Sequence, residues 1–338
     1  MMRTLALTLP SLAALSAGLA AEAWTEVAPL PRGLAGHAAG ASSGDLWIAG
    51  GSYWEGDAKR IATTVYRRRS DAATWHASAE ISGGFAHGGA AADARALWLA
   101  GGLGASGPLD VIRSVDFATG AVHDFARLPE PRANCGAALL DGALWIVGGT
   151  PVDGDFTRTS SAVWRVDLAS GDVRAGASAG PAWINPVVLA FGGALHILPG
   201  SEWSAEQKRL VAPREVWVLS ASSAEWKRHP LPFALPRGLN GVALDGRHAL
   251  LAGGVELREG ATRISTGAWL YDSVDGKFTP APPLPAPRLA AAMIRDVQRV
   301  LLLGGEDRVR GRSAVVWQLP LSAQTSKALR GQETRTIP

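Results

Sequence analysis

The sequence predicts an all-β fold, six repeated four-stranded units closed into a ring as a six-bladed β-propeller. Three observations carry that prediction. An apolar run ending in a glycine doublet recurs six times, tight-turn signals divide each repeat at the same places, and glycine supplies 40 of 338 residues, well above an average usage of about 7%. The composition is that of a folded chain, with 47% hydrophobic and 19% charged residues and a mean hydropathy of +0.09. A disordered chain is thereby excluded.

The first residues form an address. Residues 1–4 carry one Arg, residues 5–20 are a Leu/Ala-rich apolar stretch broken by Pro10, and Ala21-Glu22-Ala23 is a small-x-small site. That order is the pattern of a secretory signal peptide over residues 1–23, cut after Ala23, or after Ala20 or Ala21. Pro10 and the Ala/Gly tail suit a cleaved segment better than a buried helix. The run is shorter than the roughly 20 residues of a membrane span, and no Cys follows it for lipid attachment. The mature chain is expected in a bacterial periplasm, or secreted, without a membrane span. Its one cysteine, Cys135, excludes a disulfide-built scaffold.

Residues 24–321 carry the repeats. The doublets close Leu46-Trp47-Ile48-Ala49-Gly50-Gly51, Leu97-Trp98-Leu99-Ala100-Gly101-Gly102 and Leu144-Trp145-Ile146-Val147-Gly148-Gly149. They continue through Leu195-His196-Ile197-Leu198-Pro199-Gly200, Leu250-Leu251-Ala252-Gly253-Gly254 and Leu301-Leu302-Leu303-Gly304-Gly305, at spacings of 51, 47, 51, 54 and 51 residues. Each run is a second strand. Asp141-Gly142, Gly192-Gly193 and Asp245-Gly246 mark a hairpin turn before it. Third and fourth strands are marked by aromatic and apolar residues nine apart, Tyr66 with Trp75, Trp164 with Val173, Trp217 with Trp226 and Trp269 with Phe278. First strands follow Pro-Arg pairs at 31/32, 131/132, 236/237 and 287/288, each 16 to 18 residues before a doublet. The chain opens on a fourth strand at 24–30 and its last unit supplies only three, so the N-terminal strand is expected to complete the last blade and cover its edge. The polar segment 322–338 is expected to be a loose tail.

Strand alternation sends the long loops after the doublets and the Pro-Arg segments to one face, where loops of that length make a binding surface. Arg32, Arg132, Arg237 and Arg288 are expected as a partial ring of cations round the channel, suited to a carboxylate, or as structural partners of neighbouring carbonyls. His37, His87, Asn134, Asn185 and Asn240 open the innermost strands near the channel mouth. Glu202, Glu256 and Glu306 are the acid/base candidates in the loops, with Arg209 and Arg214 in the loop of Glu202. Ten of the 13 Trp fit repeat positions, while Trp54, Trp183 and Trp203 fall in connections where a flat ring could stack on a sugar. No metal-ligand spacing, phosphate loop or nucleophile elbow occurs, so no metal or cofactor is expected. The net charge of +3, with no basic run longer than Arg67-Arg68-Arg69, argues against a nucleic-acid partner.

Together the Pro-Arg, Gly-Gly and Trp markers resemble kelch repeats across almost all of residues 24–321. The six-bladed, exported form is similar to the N-acetylneuraminate epimerase family of periplasmic sialic-acid mutarotases, most closely over residues 300–319 with Leu301-Leu302-Leu303-Gly304-Gly305-Glu306. That resemblance implies an isomerase interconverting anomers of an acidic sugar, with a Glu and an Arg in the loop after the blade-four second strand moving protons. Glu202 stands at the Glu position, and either Arg209 or Arg214 at the Arg. The alternative expectation is a non-catalytic kelch module binding a glycan or protein partner through the same face. A copper-radical oxidase is disfavoured because three Tyr, Tyr53, Tyr66 and Tyr271, form no evident copper set with Cys135, and repeated sialidase-type Asp turns are lacking.

Overall fold

A computed structural model describes residues 22–321 apart from 179, 199, 221–224, 259–260 and 297. The expected tail, and all but the last two residues of the expected signal segment, lie outside the described residues. The protein is all-β, a six-bladed propeller of six four-stranded antiparallel sheets. Blade one runs outward from the axis as Ala38–Ser42, Asp45–Ala49, Thr64–Arg68 and His76–Glu80. The innermost strands of the next five blades are Gly89–Ala92, Gly136–Leu140, Val187–Phe191, Asn240–Ala243 and Ala292–Arg295, and each lies beside the next, with the sixth against the first. In the sixth sheet Thr25–Val27 pairs with Val316–Pro320, Thr25 opposite Gln318, and forms the outer strand.

Second strands are buried along nearly their whole length because sheets cover both of their faces, which explains their continuous apolar runs. Their large side chains fill the gaps between blades. Trp47 of blade one lies 5.4 Å from the Phe117 ring of blade two, within a cluster that joins the two blades. Five further apolar clusters join the remaining pairs. The nine-residue markers bracket the outer hairpins without being cross-strand partners, since Trp217 faces Arg228 and Trp269 faces Pro280.

The glycine doublets bond each blade to the next. The second glycine donates its N–H to a carbonyl at the entry of the following blade: Gly51 to Phe85, Gly102 to Arg132, Gly149 to Trp183, Gly254 to Arg288 and Gly305 to Leu34, at 2.7–2.8 Å. The first glycine must be bare and left-handed there. At Gly253, with φ +75°, an added Cβ would stand 2.2 Å from the Arg288 carbonyl oxygen. Blade four has Pro199-Gly200 instead, and among the described residues no such bond joins it to blade five.

Candidate functional site

Where that bond is absent, the loop face opens. A cleft of about 1150 Å³ lies between the blade-four hairpin, Glu202–Ser204 with Arg209–Val211, and the blade-five hairpin, Val255–Arg258 with Ala261–Ile264. The sequence pattern predicts long loops here; pairing Glu202 with Val211 and Val255 with Ile264 folds them into hairpins that wall the cleft. The cleft gathers Glu202, Trp203, Arg209, Arg214, Arg237 and Glu256, all candidates from the sequence, together with Glu215.

The charges in the cleft are mutually adjusted. Burial and the neighbouring Glu215 carboxylate push the Glu202 carboxyl above the usual carboxylate range, which suits a group that must both hold and release a proton. Burial, then Arg209, lowers the Arg237 guanidinium. An anion between these two guanidinium groups would relieve their repulsion. Arg209 and Arg214 are exposed, Arg237 and Trp203 half-buried.

Arg237 reaches the cleft through one extra residue. Elsewhere the bridge that opens a blade joins residues 17 apart, as in Ala133 with Thr150 and Leu289 with Glu306, but in blade five it joins Arg237 and Val255, 18 apart. The extra residue lies in the first turn, where Ala243 pairs with Ala249. Arg132 and Arg288 therefore sit one place before the bridge and are buried, whereas Arg237 occupies the bridge itself. A one-residue slip turns a side chain to the opposite side.

The expected ring of Arg cations round the channel does not form. Arg132 donates from Nη1 to the Gly148 carbonyl at 3.0 Å and pairs with Glu130. Arg288 donates from Nη2 to Ser313 Oγ at 2.9 Å and covers the Trp317 ring at 4.2 Å. Arg32 lies 3.7 Å over the Tyr53 ring and does not line the mouth cavity. Trp183, expected as a stacking residue, is instead fully buried in the position taken by Leu34, Phe85 and Arg132 in other blades, so it cannot stack on a ligand. One face of Trp54 is taken by Arg310, 4.9 Å from the ring centroid. Asn240 spends its amide between blades, donating to the Ala252 carbonyl at 3.0 Å and accepting from Ala291 N–H at 2.9 Å.

The fold has a solved counterpart. The chain is similar to the structure of YjhT, with a TM-score of 0.69 over 87% of this chain and 96% of that one, at 16% identity. No family model matches the chain, and no curated protein matches it. At that identity the likeness shows the six-bladed architecture alone.

His37, His87, Asn134, Asn185 and Glu306 meet, with Lys59, in a second cavity of about 340 Å³ at the mouth of the central channel. His87, Asn134 and Asn185 have left-handed backbone, φ +51°, +58° and +48°, a conformation that Asn and His tolerate better than most residues. Their amides run head to tail: Gly36 donates to the Ala290 carbonyl, His87 to Gly36, Asn134 to His87 and Asn185 to Asn134, at 2.6–2.7 Å. Among the described residues the blade-five counterpart, Gly238, makes no such bond, and it lies beside the cleft.

Three mouth residues escaped the sequence reading. Arg312 pairs with Glu306 at 3.2 Å and donates to Ser52, whose hydroxyl is bonded to His87 Nε2 at 3.1 Å. Of the three, Lys59 lines the cavity, while Ser52 and Arg312 stand behind His87 and Glu306. Burial raises the Glu306 carboxyl, against the opposing pull of Arg312 and Lys59. Neither Ser52 nor Arg312 falls at a repeated marker, so periodicity could not single them out. Among the described residues no group of His, Cys, Asp and Glu could hold a metal ion, and no helix is long and apolar enough to cross a membrane.

Proposed function

We propose that the protein is an exported sugar mutarotase that binds an acidic sugar, N-acetylneuraminate in the first instance, in the cleft between blades four and five. The observation that carries this reading is that one cavity gathers Glu202, Trp203, Arg209 and Arg214, from the blade-four hairpin and its flank, and Arg237 from the entry of blade five. The resemblance of the repeats to the N-acetylneuraminate epimerase family supports the substrate class, and the signal-peptide pattern of residues 1–23 supports export.

Anomer exchange needs little machinery. The anomeric hydroxyl loses its proton, the bond from the anomeric carbon to the ring oxygen breaks, and the ring oxygen gains a proton; the open keto form recloses on its other face. In this reading Glu202 moves the proton, its raised carboxyl poised nearer neutrality than an ordinary Glu. Arg237, with Arg209 or Arg214, holds the sugar carboxylate, and Trp203 lies under the ring. No atom enters or leaves, so no cofactor is required.

The test is to release N-acetylneuraminate as a single anomer with a sialidase and follow its approach to equilibrium by NMR, with and without catalytic amounts of protein. Acceleration supports the proposal. An unchanged relaxation rate sinks it, and binding without acceleration would mark a non-catalytic glycan-binding module.

A further inference from the structure

The channel mouth has a chemistry different from that of the cleft. His37 is 6% exposed, lines the cavity, and has no hydrogen-bond partner on either ring nitrogen. A neutral imidazole presents one N–H donor and one lone-pair acceptor, so each is an unmet demand in a buried place. Burial keeps it neutral, lowering its pKa to about 4. The side-chain amides of Asn134 and Asn185 bring two donors and an acceptor apiece to the same rim.

The charges at the mouth are already matched. Glu306 is paired with Arg312, and Lys59 and Asp153 add one charge of each sign to the wall. An anion here would face the Glu306 and Asp153 carboxylates against Lys59, the one lysine or arginine in the wall, and as a pure acceptor it would leave the His37 lone pair and the Glu306 carboxylate unanswered. Vicinal hydroxyls, each able to donate and accept, answer both kinds of group. Leu103, Leu239 and Phe156 supply apolar wall for the C–H face of a ring, and the volume suits a single ring better than a chain of them.

We propose that the mouth is a second ligand site, taking an uncharged pyranose, separate from the acidic-sugar cleft. Phe156 lines both cavities, so the two sites share a wall. The site does not depend on the mutarotase reading, because none of its hydrogen-bonding groups lines the cleft.

Saturation-transfer NMR and calorimetry with four probes, the methyl glycosides of glucose, galactose, mannose and N-acetylglucosamine, test it. At least one should bind the full chain. Asn134→Gly and Asn185→Gly keep the left-handed backbone while removing an amide, and each should weaken that binding about tenfold. His37→Leu should weaken it by at least as much, and the two Asn variants cover the case in which it fails to fold. Glu202→Gln should leave glycoside binding unchanged, which separates this site from the cleft whatever the outcome of the mutarotation assay. Failure of all four glycosides to bind, or binding that survives both Asn substitutions, overturns the proposal.

Discussion

Five junctions between blades are bonded by a doublet N–H to the next blade's carbonyl, and among the described residues no such bond joins blades four and five. The five bonded junctions close the loop face with buried side chains from the entry of the following blade: Phe85, Arg132, Trp183, Arg288 and Leu34. At the exception, Pro199-Gly200 replaces the doublet, an extra residue slips Arg237 out of the buried position, and two hairpins stand apart over a cleft. The sequence departure at 199–200 and the slip that displaces Arg237 belong to the same pair of blades, the pair that flanks the cleft. A repeat holds the scaffold by sameness, and the place where it departs from sameness is where a ligand can be admitted.

The largest expected effect lies at the exception. Glu202→Gln should lose about 10²- to 10⁴-fold of any anomer-exchange acceleration, read by NMR at saturating sugar, with thermal unfolding unchanged. Retained acceleration would remove Glu202 from the proton step.

Two tryptophans test the contrast within one residue type. Trp183→Ala, at a bonded junction, should cost about 3–5 kcal/mol of stability by denaturant unfolding, because a fully buried indole leaves a cavity. Trp203→Ala, in the cleft wall, should leave stability nearly unchanged and cost the bound acidic sugar roughly 0.5–1.5 kcal/mol of stacking. The reverse pattern would mean that the assignments of scaffold and site are exchanged.

A smaller effect sharpens the electrostatics of the cleft. Glu215 raises the Glu202 carboxyl by like-charge repulsion, second to burial. Glu215→Gln removes that repulsion, so the Glu202 carboxyl should titrate lower and the acid limb of kcat/KM should move to lower pH. A limb that stays in place, or moves up, would show that the limb belongs to another group.

Much of the architecture was legible because glycine doublets and hairpin turns answer to local backbone geometry, which a single sequence displays. The site was legible in part for the same reason. Glu202, Arg209, Arg214 and Trp203 lie in one hairpin or beside it, so their proximity follows from chain continuity. Arg132, Arg237 and Arg288 each stand 16 residues before a doublet, and sequence spacing alone treats them alike. The insertion that separates Arg237 from the others lies in a turn on the opposite face, and only the strand register reveals it. Trp183, like Trp54 and Trp203, falls in a connection on the loop face in sequence, but its backbone carbonyl receives the Gly149 N–H and its side chain is fully buried in the core. Arg312 joins Ser52 across the closing blades, a contact between residues 260 apart that no local pattern encodes.

Backbone hydrogen exchange at the six doublet amides tests the contrast most directly. Gly51, Gly102, Gly149, Gly254 and Gly305 should exchange slowly, through openings that break a blade junction, whereas Gly200, with no carbonyl partner in the next blade, should exchange measurably faster. N-acetylneuraminate should perturb the amides of residues 200–214 and 235–237 more than those at the bonded junctions. A Gly200 amide as protected as the other five, with perturbations spread evenly round the ring, would contradict the account.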